Sequence, residues 1–199
     1  MADHWTEQPV LEGLHVALRP MVRSDGPAIV DAASDGKLWE LFYTVVPGPD
    51  SIKTYLDRAE RELGWGRIMP FVVIESASGT VVGATRYMRI NAPHRRLEIG
   101  TTFYARRVQR SPINSEAKLL LLTHAFETMD CVCVQFRTDH FNFASQRAIE
   151  RLGAKRDGLI RNHQILDGRV RDTVLYSILA NEWEGVKRNL QFRLARNGN

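Results

Sequence analysis

The sequence is poor in cysteine, with only Cys131 and Cys133 among 199 residues. A disulfide framework is therefore excluded. The two thiols alternate on a strand-like run, so both face one way and cannot easily bridge each other. No second Cys/His pair stands at zinc-site spacing, so no metal site is expected. Two buried core thiols are the expectation. Long apolar runs are also missing: none approaches ~18 residues, which argues against a membrane span or a membrane partner. Met1 to Gln8 is polar, with no apolar signal-peptide region, so a cytoplasmic setting is expected. The 14 glycines and 8 prolines follow no period, excluding collagen-like and low-complexity classes. With 44% hydrophobic and 25% charged residues, the chain has enough apolar surface to fold.

Lysine is scarce as well, at 5 residues against 22 arginines. The formal charge of +4 is unevenly placed. Lys187, Arg188, Arg193 and Arg196 lie in an acid-free stretch from 187 to 199, and the rest of the chain is neutral overall. Within that neutral body, Arg95, Arg96, Arg106, Arg107 and Arg110 meet one acid, Glu98, in sixteen positions. This local excess suggests an anionic ligand at one place rather than a basic coat for nucleic acid. Arginine is also the better fork for phosphate and carboxylate.

Hydrophobic periodicity organises the chain as one domain of 100–200-residue size. A strand is expected at His15–Pro20, with Val16 and Leu18 on one face. A helix follows at Ser24–Ala33 with Ser24 as cap, and a short one at Lys37–Tyr43 carrying Trp39, Phe42 and Tyr43. An amphipathic helix runs over Ser51–Leu63, capped by Asp50 or Ser51. Phe71–Glu75 and Val81–Arg86 form a hairpin about Ser78-Gly79. Leu97–Tyr104 is a longer strand. Ser115–Met129 is a long helix with Leu119, Leu122, Ala125, Phe126 and Met129 inward. Cys131–Thr138 is a strand, and Asn142–Leu152 a helix closed by Gly153. Ala154–Arg161 and Val170–Leu179 are joined by an Asp167-Gly168 turn, and a last helix covers Asn181–Leu194. Strand, helix and strand over residues 97–138 imply a parallel crossover in a mixed sheet.

The most informative segment runs from Tyr104 to Lys118. A strand ends, an arginine-bearing loop follows, and a helix starts at Asn114 or Ser115. The first N–H groups of a helix lack internal partners and its dipole is positive there, so such a terminus favours anions. Arg106, Arg107 and Arg110 add formal charge. A phosphate-bearing ligand and an ordinary capped helix with a solvated loop both fit this segment.

Six positions of that loop read Gln109-Arg110-Ser111-Pro112-Ile113-Asn114. Around it, in order, stand Leu11-Glu-Gly-Leu-His-Val-Ala-Leu-Arg-Pro20, Gly83-Ala-Thr-Arg-Tyr87, Glu98-Ile-Gly100 and Asn114-Ser-Glu-Ala-Lys-Leu-Leu-Leu-Leu122. Asn142-x-x-Ser145-x-x-Ala148-x-x-x-x-Gly153 and Arg171-Asp-Thr-Val-Leu-Tyr-Ser-Ile178 complete the set. Over residues 10 to about 185 the chain resembles the GCN5-related N-acetyltransferase (GNAT) family, in its RimJ/RimL-like branch of ribosomal-protein N-terminal acetyltransferases. The resemblance implies an α/β GNAT fold, with a mixed, mostly antiparallel central sheet of six to seven strands and flanking helices. It implies a domain over 10–185, leaving 186–199 as a basic C-terminal helix or tail. It also implies acetyl-CoA as cofactor, with the pyrophosphate on the loop whose family motif is Gln/Arg-x-x-Gly-x-Gly/Ala. Gln109 matches that motif, whereas Pro112 and Asn114 replace its two glycines. Asn114 followed by Ser115-Glu-Ala is familiar in the branch. Pro112 is the departure: it has no N–H to offer a phosphate, and the arginines are expected to compensate. Gln109, Arg110, Ser111, Ile113, Asn114 and Ser115 are the implied phosphate-binding positions.

Acetyl transfer from a thioester needs a neutral amine, a polarised carbonyl, a proton for the thiolate and alignment of the reactants. The resemblance makes Glu98 the candidate base, acting on the amine through water; an ion pair with Arg95 or Arg96, or a structural role in the Glu-Ile-Gly segment, is the alternative. It places the Ser145 hydroxyl near the CoA sulfur as candidate acid, with Tyr176 as its rival. Asn142 is by itself a good N-cap, and the resemblance adds a hydrogen bond to the pantetheine arm. Carbonyl polarisation falls to backbone near Phe103 and Tyr104. His124 reads as a core residue, while His140 and His163 fall near the cleft. Trp39, Phe42 and Tyr43 border the acceptor cleft or pack beneath its loop.

The expected activity is acetylation of a primary amine, either a protein N-terminus or a small molecule such as a polyamine, antibiotic or amino acid. A non-catalytic acyl-CoA-binding or RNA-associated module is the competing class, resting on the basic tail. Nucleic acid is otherwise not an expected partner, and monomer and homodimer both stay open.

Overall fold

Burial alternates along the strands where one face meets the core. In β2 (Val16–Pro20), Val16 and Leu18 are fully buried and the residues between them are not. β3 (Ile68–Glu75) is buried almost throughout, the mark of a strand covered on both faces. With β1 (Leu11–Glu12), β4 (Thr80–Asn91), β5 (Arg96–Tyr104), β6 (Cys133–Asp139), β7 (Lys155–Leu166) and β8 (Arg169–Leu179), they form one sheet in the order β1-β2-β3-β4-β5-β6-β8-β7. The computed structural model describes residues 4–197. Every neighbouring pair in the sheet is antiparallel except β5–β6, which is the expected parallel crossover. The sheet has 8 strands rather than six to seven. The addition is β1, whose two residues are too few to carry a period.

Two layers of helix cover the sheet. On β4, the Arg86 guanidinium lies over the Tyr55 ring of α2 (Ile52–Gly64) at 5.1 Å. The next residue, Tyr87, points the other way and donates its hydroxyl to the Leu121 carbonyl of α3 (Ile113–Thr123) at 2.6 Å. So α2 lies on one face, beside α1 (Gly26–Ser34), and α3 on the other. α4 (Phe143–Leu152) and α5 (Trp183–Asn197) share the α3 face. α3 runs on into a single π-turn, His124–Thr128.

Several boundaries differ from the sequence expectation. The first helix opens with a 3-10 turn at Arg23–Asp25, and Asp25 rather than Ser24 ties it down. The Asp25 carboxylate accepts the Val22 N–H at 2.8 Å and pairs with Arg19 at 2.6 Å. The helix expected at Lys37–Tyr43 is only a 3-10 turn, Leu38–Glu40, because Gly36 (φ 100°) and Lys37 (φ 47°) are both left-handed. α3 begins at Ile113, with Pro112 at its cap, and Ala117 and Leu121 point inward instead of Leu119. Cys131 is buried but Cys133 is partly exposed, and both thiols are free.

The basic C-terminal segment lies on α5, which packs on the domain. Trp183 stacks on Phe126 with centroids 5.2 Å apart, and Val186 and Leu190 are buried in the core. The basic residues after 186 therefore lie on a helix whose apolar side belongs to the domain. Lys187 is already engaged, donating to Glu127 at 2.7 Å.

Candidate active site

The parallel pair β5–β6 is joined through only Arg96↔Cys133, Leu97↔Val134 and Glu98↔Gln135. Beyond Glu98 the strands part. Ile99–Tyr104 stays with β4, while Phe136–Asp139 stays with β8. The register of β4–β5 slips between Ala84↔Phe103 and Arg86↔Gly100, so β5 holds an extra residue there. Thr101 at that bulge has φ 49°, a left-handed backbone that a β-branched residue rarely adopts. Bulges bend the strand that carries them. The result is a wedge in the sheet, with an unpaired strand edge on each side. Backbone groups on such an edge are free to bond an extended ligand. At the neighbouring position on β4, Gly83 is required by close approach, since a Cβ there would sit 2.1 Å from the Phe103 carbonyl oxygen.

Because β5 and β6 are parallel, the helices that follow them begin at the same end of the wedge. β5 leads through Arg106–Val108 into α3, and β6 leads through Phe141–Asn142 into α4. At α3, Ser111 Oγ donates to the Val108 carbonyl at 2.6 Å and accepts the Ile113 N–H at 3.3 Å. Gln109 Nε2 turns back to the Tyr104 carbonyl at 3.0 Å, closing the loop on itself. Among the described residues, the N–H groups of Arg110, Asn114 and Ser115 have no acceptor. Pro112 sits at the cap, where its carbonyl accepts the Glu116 N–H at 2.9 Å. The missing proline N–H thus leaves three donors at this terminus still available.

The arginine window of the sequence is divided by the fold. Arg95 and Arg96 stand at the start of β5 and Arg106, Arg107 and Arg110 beyond its end, roughly 25 Å away at about 3.3 Å per residue. Arg95 pairs with Asp130. Arg107 pairs with Glu75 at 2.9 Å, and its N–H bonds Asp35 at 2.8 Å. Arg106 and Arg110, on the loop that leads into α3, have no ion pair among the described residues.

At α4, Asn142 Oδ1 accepts the Ser145 N–H at 3.0 Å, confirming the cap and leaving its amide nitrogen uncommitted. Ser145 is half-buried, one turn into the helix. Tyr176 lies against α4, the helix that carries Ser145, within 3.4 Å of the neighbouring Gln146. It is fully buried, and its hydroxyl donates to Glu150 of α4 at 2.9 Å. Burial and the Glu150 carboxylate push its pKa to about 12. Phe103 is buried and Tyr104 half-buried, beside the wedge on the β5 side.

Glu98 sits where β5 and β6 separate, at 4% exposure. Its ion partners are neither Arg95 nor Arg96. Its Oε2 lies 2.9 Å from Arg137 Nε and 3.2 Å from Arg89 Nε. Neither approach is aligned as a hydrogen bond, so these contacts are chiefly coulombic. Burial raises its pKa, and Arg137, Arg89 and Arg171 pull in the other direction without cancelling it. A carboxylate raised in this way is a better proton acceptor than a solvated one.

Several groups here escaped the sequence reading. Arg137 and Asp139 alternate on β6, so period two puts them on the Glu98 face. Asp139 pairs with Arg169 and approaches Arg171 Nε at 3.5 Å. The Phe42 ring lies 5.2 Å from the Arg169 guanidinium, which brings the loop before α2 over this face. His163 donates to or accepts from Thr173 Oγ1 at 3.0 Å, and burial plus Arg137, Arg89 and Arg171 lower its pKa. His140 packs on Phe141 and Phe143, while His124 lies in the core against Tyr87. On α3, Glu116 accepts the N–H groups of Leu14, His15 and Val16 at 3.0, 2.6 and 2.8 Å, tying β2 to the helix start. A shallow concavity between α1 and α2, lined by Val30, Ile52 and Leu56, includes none of these groups. Among the described residues no cluster of His, Cys, Asp and Glu could hold a metal, and no helix is long and apolar enough to cross a membrane.

A mixed sheet split at its one parallel pair, with two helix N-termini at the mouth of the split, defines an acyl-CoA-type transferase fold. Residues 15–155 match the profile of the acetyltransferase (GNAT) domain. The chain belongs to the GCN5-related N-acetyltransferase family. It is 30% identical over 109 residues to YdaF of Bacillus subtilis (strain 168), provisionally named a ribosomal N-acetyltransferase; the match spans 55% of this chain and 59% of that relative. A GCN5-related N-acetyltransferase from Brucella melitensis has the same fold, with a TM-score of 0.83, 29% identity, and coverage of 96% of this chain and 89% of that one. The fold also matches Mycobacterium smegmatis RimJ, solved with CoA-disulfide, at a TM-score of 0.79 and 21% identity over 97% of each chain.

Proposed function

We propose that this protein transfers an acetyl group from acetyl-CoA to a primary amine, with both reactants bound together. The observation that carries this reading is the wedge between β5 and β6, bounded by Glu98 at its closed end and by the α3 and α4 N-termini at its mouth. Acetyl-CoA, when bound, supplies the activated acetyl thioester. The free N–H groups of Arg110, Asn114 and Ser115, with the Arg106 and Arg110 side chains, suit its phosphates. The open edge of β5 at Phe103 and Tyr104 and the uncommitted Asn142 amide suit a pantetheine arm. The name of YdaF, a ribosomal N-acetyltransferase, favours an amine of a ribosomal protein as acceptor, and a protein N-terminus is the amine we propose.

The roles of this chain's residues follow from their surroundings. Glu98 is buried and raised in pKa, so it can take the proton that the amine must lose. An amine left protonated has no lone pair with which to attack. Ser145 can donate a proton at the leaving sulfur from the first turn of α4. Asn142 holds that turn in place. Tyr176 serves the packing of α4 in this reading, because Glu150 already holds its hydroxyl.

The test is a pair of measurements on the full chain. Acetyl-CoA at millimolar concentration should raise the melting temperature, since binding to the native state must stabilise it. Glu98→Gln should keep that shift and lose turnover by about 10²–10⁴-fold, the usual contribution of a general base. Absence of any shift would overturn the cofactor assignment. Unchanged turnover in Glu98→Gln would overturn the assignment of the base.

A further inference from the structure

We infer that the acceptor amine carries an anionic group, a carboxylate or phosphate within a few bonds of the amine, held by Arg137, Arg169 and Arg171. This rests on the reading that Glu98 marks the acceptor side of the wedge. The strands converge these arginines from distant sequence positions. Arg137 pairs in register with Leu175 and Asp139 with Thr173, so β6 and β8 bring their polar alternation to one face. Arg89 joins them from β4 through Glu98.

The charges on this face do not balance. Arg89, Arg137, Arg169 and Arg171 face two carboxylates, Glu98 and Asp139. Both carboxylates are already shared. Glu98 Oε2 serves Arg89 and Arg137, and Asp139 Oδ2 serves Arg169 and Arg171. Asp139 Oδ1 is taken by the Phe141 N–H at 2.9 Å. Arg96 adds further positive charge, which Asp157, bonded to Ser177 on the same face at 2.8 Å, offsets.

The donors are not satisfied either. The Nε–H groups of Arg137, Arg169 and Arg171 are buried and have no aligned hydrogen-bond acceptor among the described residues. A buried donor without an acceptor is costly, and a buried excess of like charge more so. The lowered pKa of His163 and of Arg171 reflects burial within the same positive field. A bound carboxylate or phosphate would relieve both deficits, accepting several N–H bonds while neutralising the excess. The same field repels a polycation. Phe42, at 62% exposure against Arg169, leaves an apolar wall for the rest of the acceptor.

The experiment measures acetylation of five amines, with thiol release as readout. The panel is a free amino acid (glutamate), a phosphorylated amine (phosphoethanolamine), a peptide whose N-terminal residues are acidic, and two controls, benzylamine and spermidine. The first three separate the sources of the anion. At least one anionic amine should exceed both controls by tenfold or more in kcat/KM. Arg169→Gln should raise the KM of the preferred anionic amine about tenfold or more and collapse its preference over benzylamine. Arg169→Lys should recover part of that loss. Both variants should keep the acetyl-CoA thermal shift, which separates this site from failure of the cofactor site. Spermidine or benzylamine matching the anionic amines would overturn the inference. Where no amine turns over, calorimetric binding of glutamate, phosphoethanolamine and the acidic peptide decides it directly, and no binding by any of them overturns it.

Discussion

Lys118 is a charge placed where the fold can hardly accommodate one. It lies on α3 facing the sheet, at 5% exposure, and among the described residues it has no carboxylate partner. Its Nζ reaches Thr102 Oγ1 at 3.2 Å, which in turn lies 2.8 Å from Thr85 Oγ1. Burial lowers its pKa from 10.5 to about 7. Between about pH 7 and 10.5 the unfolded chain holds a proton at this position that the native chain does not. Stability therefore rises with pH across that window, and the penalty is complete below it. At about 1.4 kcal/mol per pH unit, the full penalty is roughly 5 kcal/mol near pH 6 and about 2 kcal/mol at pH 9. Lys118→Met keeps the length of the side chain and removes the titration, at the cost of one hydrogen bond worth about 1 kcal/mol. Urea unfolding of both proteins at pH 6 and pH 9 gives the comparison by linear extrapolation. The variant should be more stable by about 4 kcal/mol at pH 6, and its advantage should shrink by about 3 kcal/mol at pH 9. Other titrating groups cancel between the two proteins. An advantage that does not change with pH would show that the Lys118 ammonium is not desolvated, and would refute the reasoning.

Three further outcomes follow from the same structure. Glu116→Ala strands the N–H groups of Leu14, His15 and Val16, and should cost about 3–5 kcal/mol in thermal or denaturant unfolding at roughly 1–3 kcal/mol per buried orphan, less what water recovers. Leu190→Ala should cost about 2–5 kcal/mol while leaving the KM for acetyl-CoA unchanged, because α5 belongs to the core and not to the site. Arg110→Ala should weaken acetyl-CoA binding several-fold at low salt and less at high salt, as expected of an exposed charge, whereas Arg95→Ala should not affect it.

The element order was legible in the sequence because two periods, 2.0 and 3.6, mark buried faces. Val16 and Leu18 on β2 and the apolar stripe of α2 stand as expected for that reason. The short helix at Lys37–Tyr43 failed because its aromatic residues look like a helical stripe, while the left-handed Gly36 and Lys37 dictate a turn. The wedge was not legible. It depends on where one parallel pairing stops and on a bulge at Thr101, and neither leaves a compositional trace. The capping rule found Asn142 and the resemblance put Glu98 forward, but their neighbours were not legible. The partners of Glu98 come from positions 89 and 137, reached through sheet register.

That difference bears on how charge should be read. The dense window from Arg95 to Arg110 looked like one anion site, yet the strand between its halves carries them to opposite ends of the sheet. Arg95 and Arg107 are then spent on Asp130 and Glu75. The arginines that do converge, Arg89, Arg137, Arg169 and Arg171, are scattered over more than eighty positions, and no linear window detects them. Period two detects them once the strand order is known, because every second residue of β6 and β8 must share a face. The two positive regions that result differ in kind. In the proposed reading, the attraction at the wedge mouth comes from backbone N–H groups at the α3 terminus, three of which remain with Pro112 and Asn114 in place of glycine. On the Glu98 face it comes from guanidinium groups, whose forked donors are directional. The first can hold any phosphate chain of suitable shape. The second discriminates among acceptors, and it is there that substitutions should change which amine is used.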